Sequence, residues 1–378
     1  MIVALDIRRV RDFGTGTYTR NLVEALARLD STTSYFLVGR DSDAAALGRL
    51  PDNFQLLVFD RSPDGLHHNL RLAWQLHRRK VDVWHTPYLA TCWMVACPHI
   101  ITVHDTAPFS LLAPDGAALS DLLRFYRTRH CLRRAHRILS VSHATRRDLI
   151  RQFGLTANKI DVVYNAVDTQ LDPHPAPDEV EHTLSRYSAH DPYLLYAGNV
   201  SPRKNLPRLI EAFALVKHEL RDHPDYRNLK LIIIGDELSQ NPQLRRAVIK
   251  SRTQNHVRFL GFVPPQTLIV FYSRAAAFAF PSLYEGFGLP PLEAMAHGAP
   301  VLASNVSALP EVLGEAALYV NPENVFDISR GIRSLLLDKK LRKQLVKRGH
   351  AQVEKFSWKE SVRRVLEVYR AAAGAEAS

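Results

Sequence analysis

Two α/β domains, each a doubly wound parallel sheet covered by helices on both faces, are what this sequence predicts, on three observations. At 378 residues the chain exceeds one ordinary core and fits two domains of roughly 150–200 residues. Short apolar, β-branched runs alternate with stretches of helical period along both halves, as expected of strands buried on both faces. Between the halves, "TQLDPHPAPDEVEHTLSRYSAHDP" (169–192) is rich in Pro, Asp and His and poor in strand pattern. It reads as a linker with room for one short helix, which places the domains at 1–180 and 190–360.

In the first half the predicted strands are "MIVALDI", "SYFLVG", "FQLLVF", "VDVWHT", "HIITVHD", "RILSVS" and "KIDVVYN", with helices "TYTRNLVEALARL" and "ATRRDLIRQFG" between them. The second half begins with strand "YLLYAG" and helix "NLPRLIEAFALVKHE", then strand "KLIIIGD" and helix "PQLRRAVIKS". Strand "VRFLGF", helix "PQTLIVFYSRAA", strand "AFAFPS", helix "LEAMAHG" and strands "PVLAS" and "ALYVN" complete it. The closing "WKESVRRVLEVYRAAAG" is amphipathic and follows the completed second sheet, so a helix over about 360–378 could cross back onto the first domain. Doubly wound sheets bind ligands beyond the carboxyl ends of their strands, and a cleft between two such faces is the expected active site.

Composition bounds the function. The chain is 46% apolar and 23% charged, an ordinary globular balance. No apolar run reaches the ~18–20 residues that span a bilayer, and "MIVALDIRRV" lacks a signal-peptide cleavage region, so a cytoplasmic placement is expected. Cys92, Cys97 and Cys131 lack the spacing of a zinc site or disulfide framework and read as buried or incidental thiols. Lys plus Arg exceed Asp plus Glu by 49 − 38 = 11, which suits a phosphorylated ligand, a membrane surface or nucleic acid.

The chemistry-bearing residues concentrate where predicted strands end and helices begin. In "SLYEGFGLPPLEAMAHGAP" (282–300), Glu285 falls just past a strand, and Gly286 and Gly288 permit a tight turn. Pro290 and Pro291 suit a first helical turn, a place that favours anions, and Glu293 lies about one turn inside. Each carboxylate can accept hydrogen bonds from a vicinal diol, so the pair could hold a sugar and a ribose. Alternatively Glu285 caps the helix and Glu293 complements its dipole.

In "GNVSPRKNLPRLIEAF", a strand ends at Gly198 and a turn through Pro202 presents Arg203 and Lys204. That pair suits a departing diphosphate, or else it is a solvated basic loop. Gly14 and Gly16 of "RDFGTGTYTRNL" begin a dinucleotide-type fingerprint whose third glycine is replaced by Thr19; the turn faces a phosphate or is a plain turn. His104 and Asp105 end the strand in "IITVHDTAPF", suited to a substrate hydroxyl or acid–base work unless the histidine is structural. His85 in "VWHTPY" occupies the same kind of position. Residues 122–151 carry nine arginines against one acid, Asp148, with Leu122, Leu123, Phe125, Tyr126 and Leu132 interleaved. Such a segment lies on an anionic leaflet or forms an amphipathic helix with a solvated cationic face.

Taken in order, "GTGTYTRNL", "VHD", "VSHATRRDL", "VVYNAVD", "GNVSPRKN", "LIIIGD", "VRFLGFVP" and "PSLYEGFGLPPLEAMAHGAPVLASNVSALPEV" make the chain resemble the retaining GT-B glycosyltransferases of family four over nearly its whole length. The resemblance implies the GT-B fold: two Rossmann-like domains, the first binding the acceptor and the second a nucleotide-sugar donor. By that likeness Glu285 and Glu293 form the E-x7-E motif. Glu285 contacts the transferred sugar with the amides of Phe287 and Gly288, and Glu293 holds the ribose, with Gly286 and Leu289 completing the donor loop. Arg203 and Lys204 bind the diphosphate, which the loop of Gly14 and Gly16 approaches. His104 meets a donor-sugar hydroxyl, and Gly261, Phe262 and Val263 sandwich the base. Asn199 stands where many relatives carry an arginine, so Arg203 would supply that charge.

The likeness implies no metal and no cofactor. It implies front-face transfer without an enzyme nucleophile, in cell-envelope or exopolysaccharide assembly on a glycan or lipid-linked acceptor. GDP-mannose is the first donor expected and UDP-glucose the second, with peripheral contact at the inner face of the membrane through 122–151. A GT-B epimerase would share the nucleotide site but release nucleotide without an acceptor. A Rossmann dehydrogenase is disfavoured by the missing third glycine. A nucleic-acid-binding protein lacks a recognition motif and would leave both glutamates idle, so no nucleic-acid partner is expected.

Overall fold

The computed structural model describes residues 1–12, 14–60, 66–89, 95–110, 119–167, 175–235 and 241–374, without the side chains of residues 66–68, 108 and 110. Cys92 lies outside them. The chain forms two compact units, Met1–Ala166 with Phe356–Ser378, and Val167–Lys355.

The first unit holds β1 (Ile2–Asp6), α1 (Thr15–Leu29), β2 (Ser34–Gly39), α2 (Asp41–Ala45), β3 (Phe54–Val58), α3 (Leu66–Arg78), β4 (Val83–Thr86) and β5 (His99–Val103). It continues with α4 (Ala107–Ser110), α5 (Leu119–Arg134), β6 (Arg137–Ser140), α6 (His143–Phe153) and β7 (Ile160–Val162). The strands pair in parallel in the order β3-β2-β1-β4-β5-β6-β7. The order reverses between β1 and β4, the switch point of a doubly wound sheet. Val3, Leu5, Val83 and Ile100 are fully buried, as continuous apolar runs require when helices cover both faces.

Residues 122–151 are not one surface segment. They divide into most of α5, all of β6 and most of α6, because Cys131, Leu132, Ile138, Leu139 and Leu149 are buried and pull the chain through the sheet. Arg137 is spent on Asp161, with Nε and Nη2 donating to its two oxygens at 2.8 and 2.6 Å. Ser142 caps α6 by accepting from the Thr145 amide, and Gly154 ends it in the left-handed region at φ 63°.

The second unit holds α7 (Pro177–Arg186), β8 (Tyr193–Ala197), α8 (Leu206–Glu219), β9 (Lys230–Ile234), α9 (Pro242–Lys250), β10 (Val257–Gly261), α10 (Pro265–Arg274) and β11 (Ala277–Phe280). Then come α11 (Leu289–Ala296), β12 (Val301–Ser304), α12 (Leu309–Leu313), β13 (Ala317–Val320), α13 (Val325–Leu337) and α14 (Lys339–Val353). Its parallel order is β10-β9-β8-β11-β12-β13. The stretch read as a linker contains α7, and Tyr187 at its end packs edge-on against Phe271 of α10. The helices α13 and α14 were not among the predicted elements. Asp338 ends α13 and caps α14 by accepting from the Leu341 amide at 2.8 Å.

The last helix, α15 (Trp358–Ala372), belongs to the first unit and lies along α1 with Val362, Val365 and Tyr369 buried. Two hydrogen bonds fasten it, Ser361 Oγ to the Tyr164 carbonyl at 2.6 Å and Tyr369 Oη to His85 Nδ1 at 2.6 Å.

Candidate active site

In the second unit, β8 and β9 end in glycines that let their backbones converge. Gly198 and Gly235 sit at φ 143° and 150°, and a Cβ on Gly235 would stand 2.0 Å from the Gly198 carbonyl oxygen. After Gly198 the chain runs through exposed Asn199, whose carbonyl accepts from Tyr196 Oη at 3.0 Å, into a 3₁₀ turn over Pro202–Lys204. Asn205 then adopts φ 61° and starts α8. Asparagine tolerates this left-handed conformation better than most residues. Its buried side chain donates to the Pro281 carbonyl at 3.0 Å and the Pro322 carbonyl at 2.6 Å, tying the basic turn to the loops after β11 and β13.

The turn thereby meets Glu285. Lys204 Nζ lies 2.6 Å from Glu285 Oε1, and the two side chains are only 6% and 8% exposed. Arg203 Nη1 stands 3.8 Å from Oε2, and Lys204 Nζ sits 4.8 Å from the centre of the Phe280 ring. Backbone contacts fix the loop further: the Glu285 amide donates to Ser307 Oγ at 2.8 Å, and the Leu283 amide donates to the Arg203 carbonyl at 2.7 Å. Burial excludes the solvated-loop reading for Lys204. The capping reading for Glu285 fails as well, since α11 is capped by Gly288 and Glu285 is committed to the two cations.

Gly288 holds φ 103°, a conformation that residues with a Cβ rarely adopt, and a Cβ there would stand 2.6 Å from Leu309 Cδ2, so a substitution strains the turn and pushes that side chain aside. Phe287 is buried, Leu289 opens the helix, and Pro290 and Pro291 fill its first turn. On the next turn Glu293 Oε2 accepts from Tyr272 Oη at 3.2 Å, and Tyr272 stacks on His297 with ring centres 6.0 Å apart. Burial, with the Glu293 charge next, pushes the Tyr272 phenol well above its usual range, so it stays a donor. At the end of β10, Gly261 has φ 67° and accepts from the Gly235 amide at 3.0 Å. Phe262 is 70% exposed and Val263 is buried.

The residues singled out in the first unit behave differently from one another. Gly14, at φ 68°, starts α1 and has open space where a Cβ would be. Gly16 is required by packing, since its Cβ would stand 2.4 Å from the Val10 carbonyl oxygen. His104 packs edge-on against Tyr18 and its Nε2 lies 2.9 Å from the Pro87 carbonyl. That carbonyl can only accept, so Nε2 carries the proton and Nδ1 is left as an acceptor. Burial lowers the His104 pKa and keeps the ring neutral. His85 faces no ligand surface: its nitrogens are taken by Tyr369 Oη and Thr102 Oγ1 at 2.6 and 2.8 Å inside the core. Burial, then the charges of His99 and His104, brings its pKa to about 3. Cys97 and Cys131 are free thiols raised to about 11, chiefly by burial.

Asn205, Ser307 and Tyr272 were not predicted. Asn205 had a local signal, an asparagine directly before a helix, whereas Tyr272 and Ser307 reach the glutamates only through tertiary contacts. Among the described residues, no group of three His, Cys, Asp or Glu side chains is placed to hold a metal ion.

The profile of the family described as Glycosyltransferase Family 4 matches residues 14–171, and that described as Glycosyl transferases group 1 matches 184–352. The O-antigen chain mannosyltransferase B of Escherichia coli is 34% identical over 81% of this chain and 78% of its own length. The chain belongs to glycosyltransferase family 4. The family fold is the one observed: Anabaena HepE, solved in complex with UDP-glucose, superposes on this glycosyltransferase with a TM-score of 0.77 over 98% of this chain and 100% of its own, at 17% identity. The serotype-specific mannosyltransferase WbdA of Escherichia coli is 32% identical over 62% of this glycosyltransferase, a region that makes up 28% of WbdA.

Proposed function

We propose that this glycosyltransferase moves a mannosyl residue from GDP-mannose to a hydroxyl of a lipid-linked glycan, with retention at the anomeric carbon and without a metal ion. The setting proposed is O-antigen or related envelope polysaccharide assembly. Both Escherichia coli relatives named above are mannosyltransferases, and this supports the donor and the setting.

The observation that carries the reading is the buried contact of Lys204 with Glu285, flanked by Arg203. A buried lysine compensated by a single carboxylate is poised to exchange partners. A donor diphosphate drawing Lys204 and Arg203 onto its oxygens frees Glu285 to accept hydroxyls of the transferred sugar. As the sugar–phosphate bond lengthens, the two cations take up the charge growing on the leaving diphosphate. The acceptor hydroxyl bonds to the anomeric carbon on the face the diphosphate leaves and passes its proton to a departing phosphate oxygen. Glu293, oriented by Tyr272, accepts the ribose hydroxyls, and His104 offers Nδ1 to a substrate hydroxyl.

Among the described residues no helix is long and apolar enough to cross a membrane. Peripheral contact is proposed through α5, where Leu119, Leu122, Leu123 and Tyr126 are exposed beside Arg124 and Arg127. Flotation with anionic liposomes that is lost in high salt supports it, and absence of flotation counts against it.

The deciding experiment offers GDP-mannose and UDP-glucose with a synthetic lipid-diphosphate-linked acceptor and reads the anomeric configuration of the product by NMR. An α-mannoside is expected, with transfer reduced about 10²–10³-fold in Lys204→Ala, the loss typical of one charge-stabilising donor. A β-linked product, glucosyl transfer alone, or unchanged turnover in both Lys204→Ala and Glu285→Ala would overturn the reading.

A further inference from the structure

The donor-type residues lie at the carboxyl ends of the second sheet, and its opposite edge carries a separate groove of about 590 Å³. Ala275 and Ala276 directly precede β11 and Pro300 directly precedes β12, so with all strands parallel this groove opens at their amino ends. Its floor is small and apolar: Ala275, Ala276, Gly298, Pro300 and Val346. Its rim is cationic: Arg342, Lys343 and Lys347, with His350 beside them, all from α14. That helix carries six lysines and arginines in fifteen residues and no acid.

Among the described residues, none of the four rim side chains is ion-paired with a carboxylate. Arg342 is nonetheless fixed: Nη1 donates to the Leu335 carbonyl at 2.8 Å, to the Leu336 carbonyl and to Tyr226 Oη at 3.2 Å. Every one of those acceptors is neutral, so the guanidinium brings its whole charge to the groove in a preorganised position. Tyr226 is anchored in turn by donating to the Leu336 carbonyl at 2.8 Å.

We infer that this groove binds a phosphate-bearing amphiphile, a phosphate or diphosphate head on the α14 cations with an alkyl or prenyl chain along the apolar floor. The volume falls in the ~300–1,000 Å³ range of small-molecule sites. No carboxylate lines the groove to receive a cation, and its one phenol ring, that of Tyr226, is buried and tied through its hydroxyl to Arg342 and the Leu336 carbonyl rather than laid open to a nucleotide base. Small, flat side chains suit a thin hydrocarbon chain. A concave site with a fixed guanidinium selects one head group rather than a sheet of lipid. The inference does not depend on the identity of the donor sugar.

Calorimetric titration of the full chain with decyl phosphate, below its micelle concentration, tests it. Saturable binding is expected, at least tenfold tighter than that of inorganic phosphate. The exposed double substitution Lys343→Glu with Lys347→Glu weakens it at least tenfold, and the charge-neutral Lys343→Gln with Lys347→Gln weakens it in the same direction. Val346→Glu, which places a carboxylate in the floor, abolishes it. Sugar transfer to a soluble acceptor is unchanged in all three. Absence of saturable binding, binding indifferent to these substitutions, or inorganic phosphate binding as tightly as decyl phosphate would each overturn the inference. So would binding to phosphatidylglycerol vesicles without any binding of decyl phosphate, since that would make α14 a membrane-facing surface.

Discussion

Replacing Lys204 by Met removes one charge of a buried pair while keeping most of the side-chain volume, and stability should register it before activity is considered. Glu285 would keep its charge at 8% exposure with only Arg203, 3.8 Å away, to compensate it. Breaking a buried pair from one side costs ~3–5 kcal/mol, and the remaining arginine lowers the expected loss to about 3 kcal/mol. For a unit of this size that is a fall in Tm of roughly 6–12 °C. Glu285→Gln should cost a similar amount, because it leaves the buried Lys204 ammonium without its carboxylate beside the Arg203 guanidinium. The double variant Lys204→Met with Glu285→Gln removes both charges and should return to within about 1–2 kcal/mol of the parent, giving a coupling energy of about 3 kcal/mol or more. Urea unfolding of the four proteins measures the cycle, with transfer assays alongside in which all three variants lose about 10²-fold or more. Additive losses, or a double variant less stable than either single one, would refute the claim that Lys204 and Glu285 neutralise each other in the unliganded protein.

Acid should weaken the first unit through its buried histidines: His85 and His99 have pKa values near 3, against about 6.5 when unfolded, chiefly because burial disfavours the charged ring. Below about pH 6.5 the unfolded chain takes up protons that the folded one refuses, so stability is full above that pH and falls by ~1.4 kcal/mol per unit per histidine toward pH 3; urea midpoints at pH 7, 6 and 5 measure the slope, and His99→Gln should halve it. Tyr272→Phe removes the hydroxyl 3.2 Å from Glu293, and a hydrogen bond to a charged group is worth ~1.5–3 kcal/mol. Steady-state kinetics should show the donor KM raised about tenfold or more with kcat nearly unchanged, a split that general destabilisation would not produce. Gly235→Ala drives a Cβ into the Gly198 carbonyl and should cost more than about 3 kcal/mol, whereas Gly48→Ala, at φ 70° with open space around it, should cost only about 1 kcal/mol in the same urea assay.

The strands were legible because a parallel sheet covered on both faces turns each one into an unbroken apolar run, and "KLIIIGD" or "HIITVHD" has no other good reading. The helix α13 was hidden by Gly331, a poor helix former that is nevertheless required. A Cβ there would stand 2.7 Å from both Leu302 and Val320, so glycine lets the helix lie close on the sheet. The basic helix α14 escaped notice because its burial rests on scattered residues such as Leu345 and Gly349, with no sustained apolar stripe.

For the site, the sequence by itself determined which side chains stand at strand ends and helix starts: Arg203, Lys204, Glu285 and Glu293 could be named from local pattern and family likeness. Spacing along the chain cannot say which of them touch. Lys204 and Glu285 are 81 residues apart and meet only because β8 and β11 are hydrogen-bonded neighbours, although α8, β9, α9, β10 and α10 lie between those two strands in the chain. Tertiary structure also removed His85 from the list, by placing Tyr369 from the far end of the chain on its Nδ1, and it supplied Asn205, Ser307 and Tyr272 as the groups that hold the basic turn and the two glutamates in place. Contacts that close over tens or hundreds of residues are set by sheet order and packing, and those are properties of the whole fold rather than of any stretch of sequence.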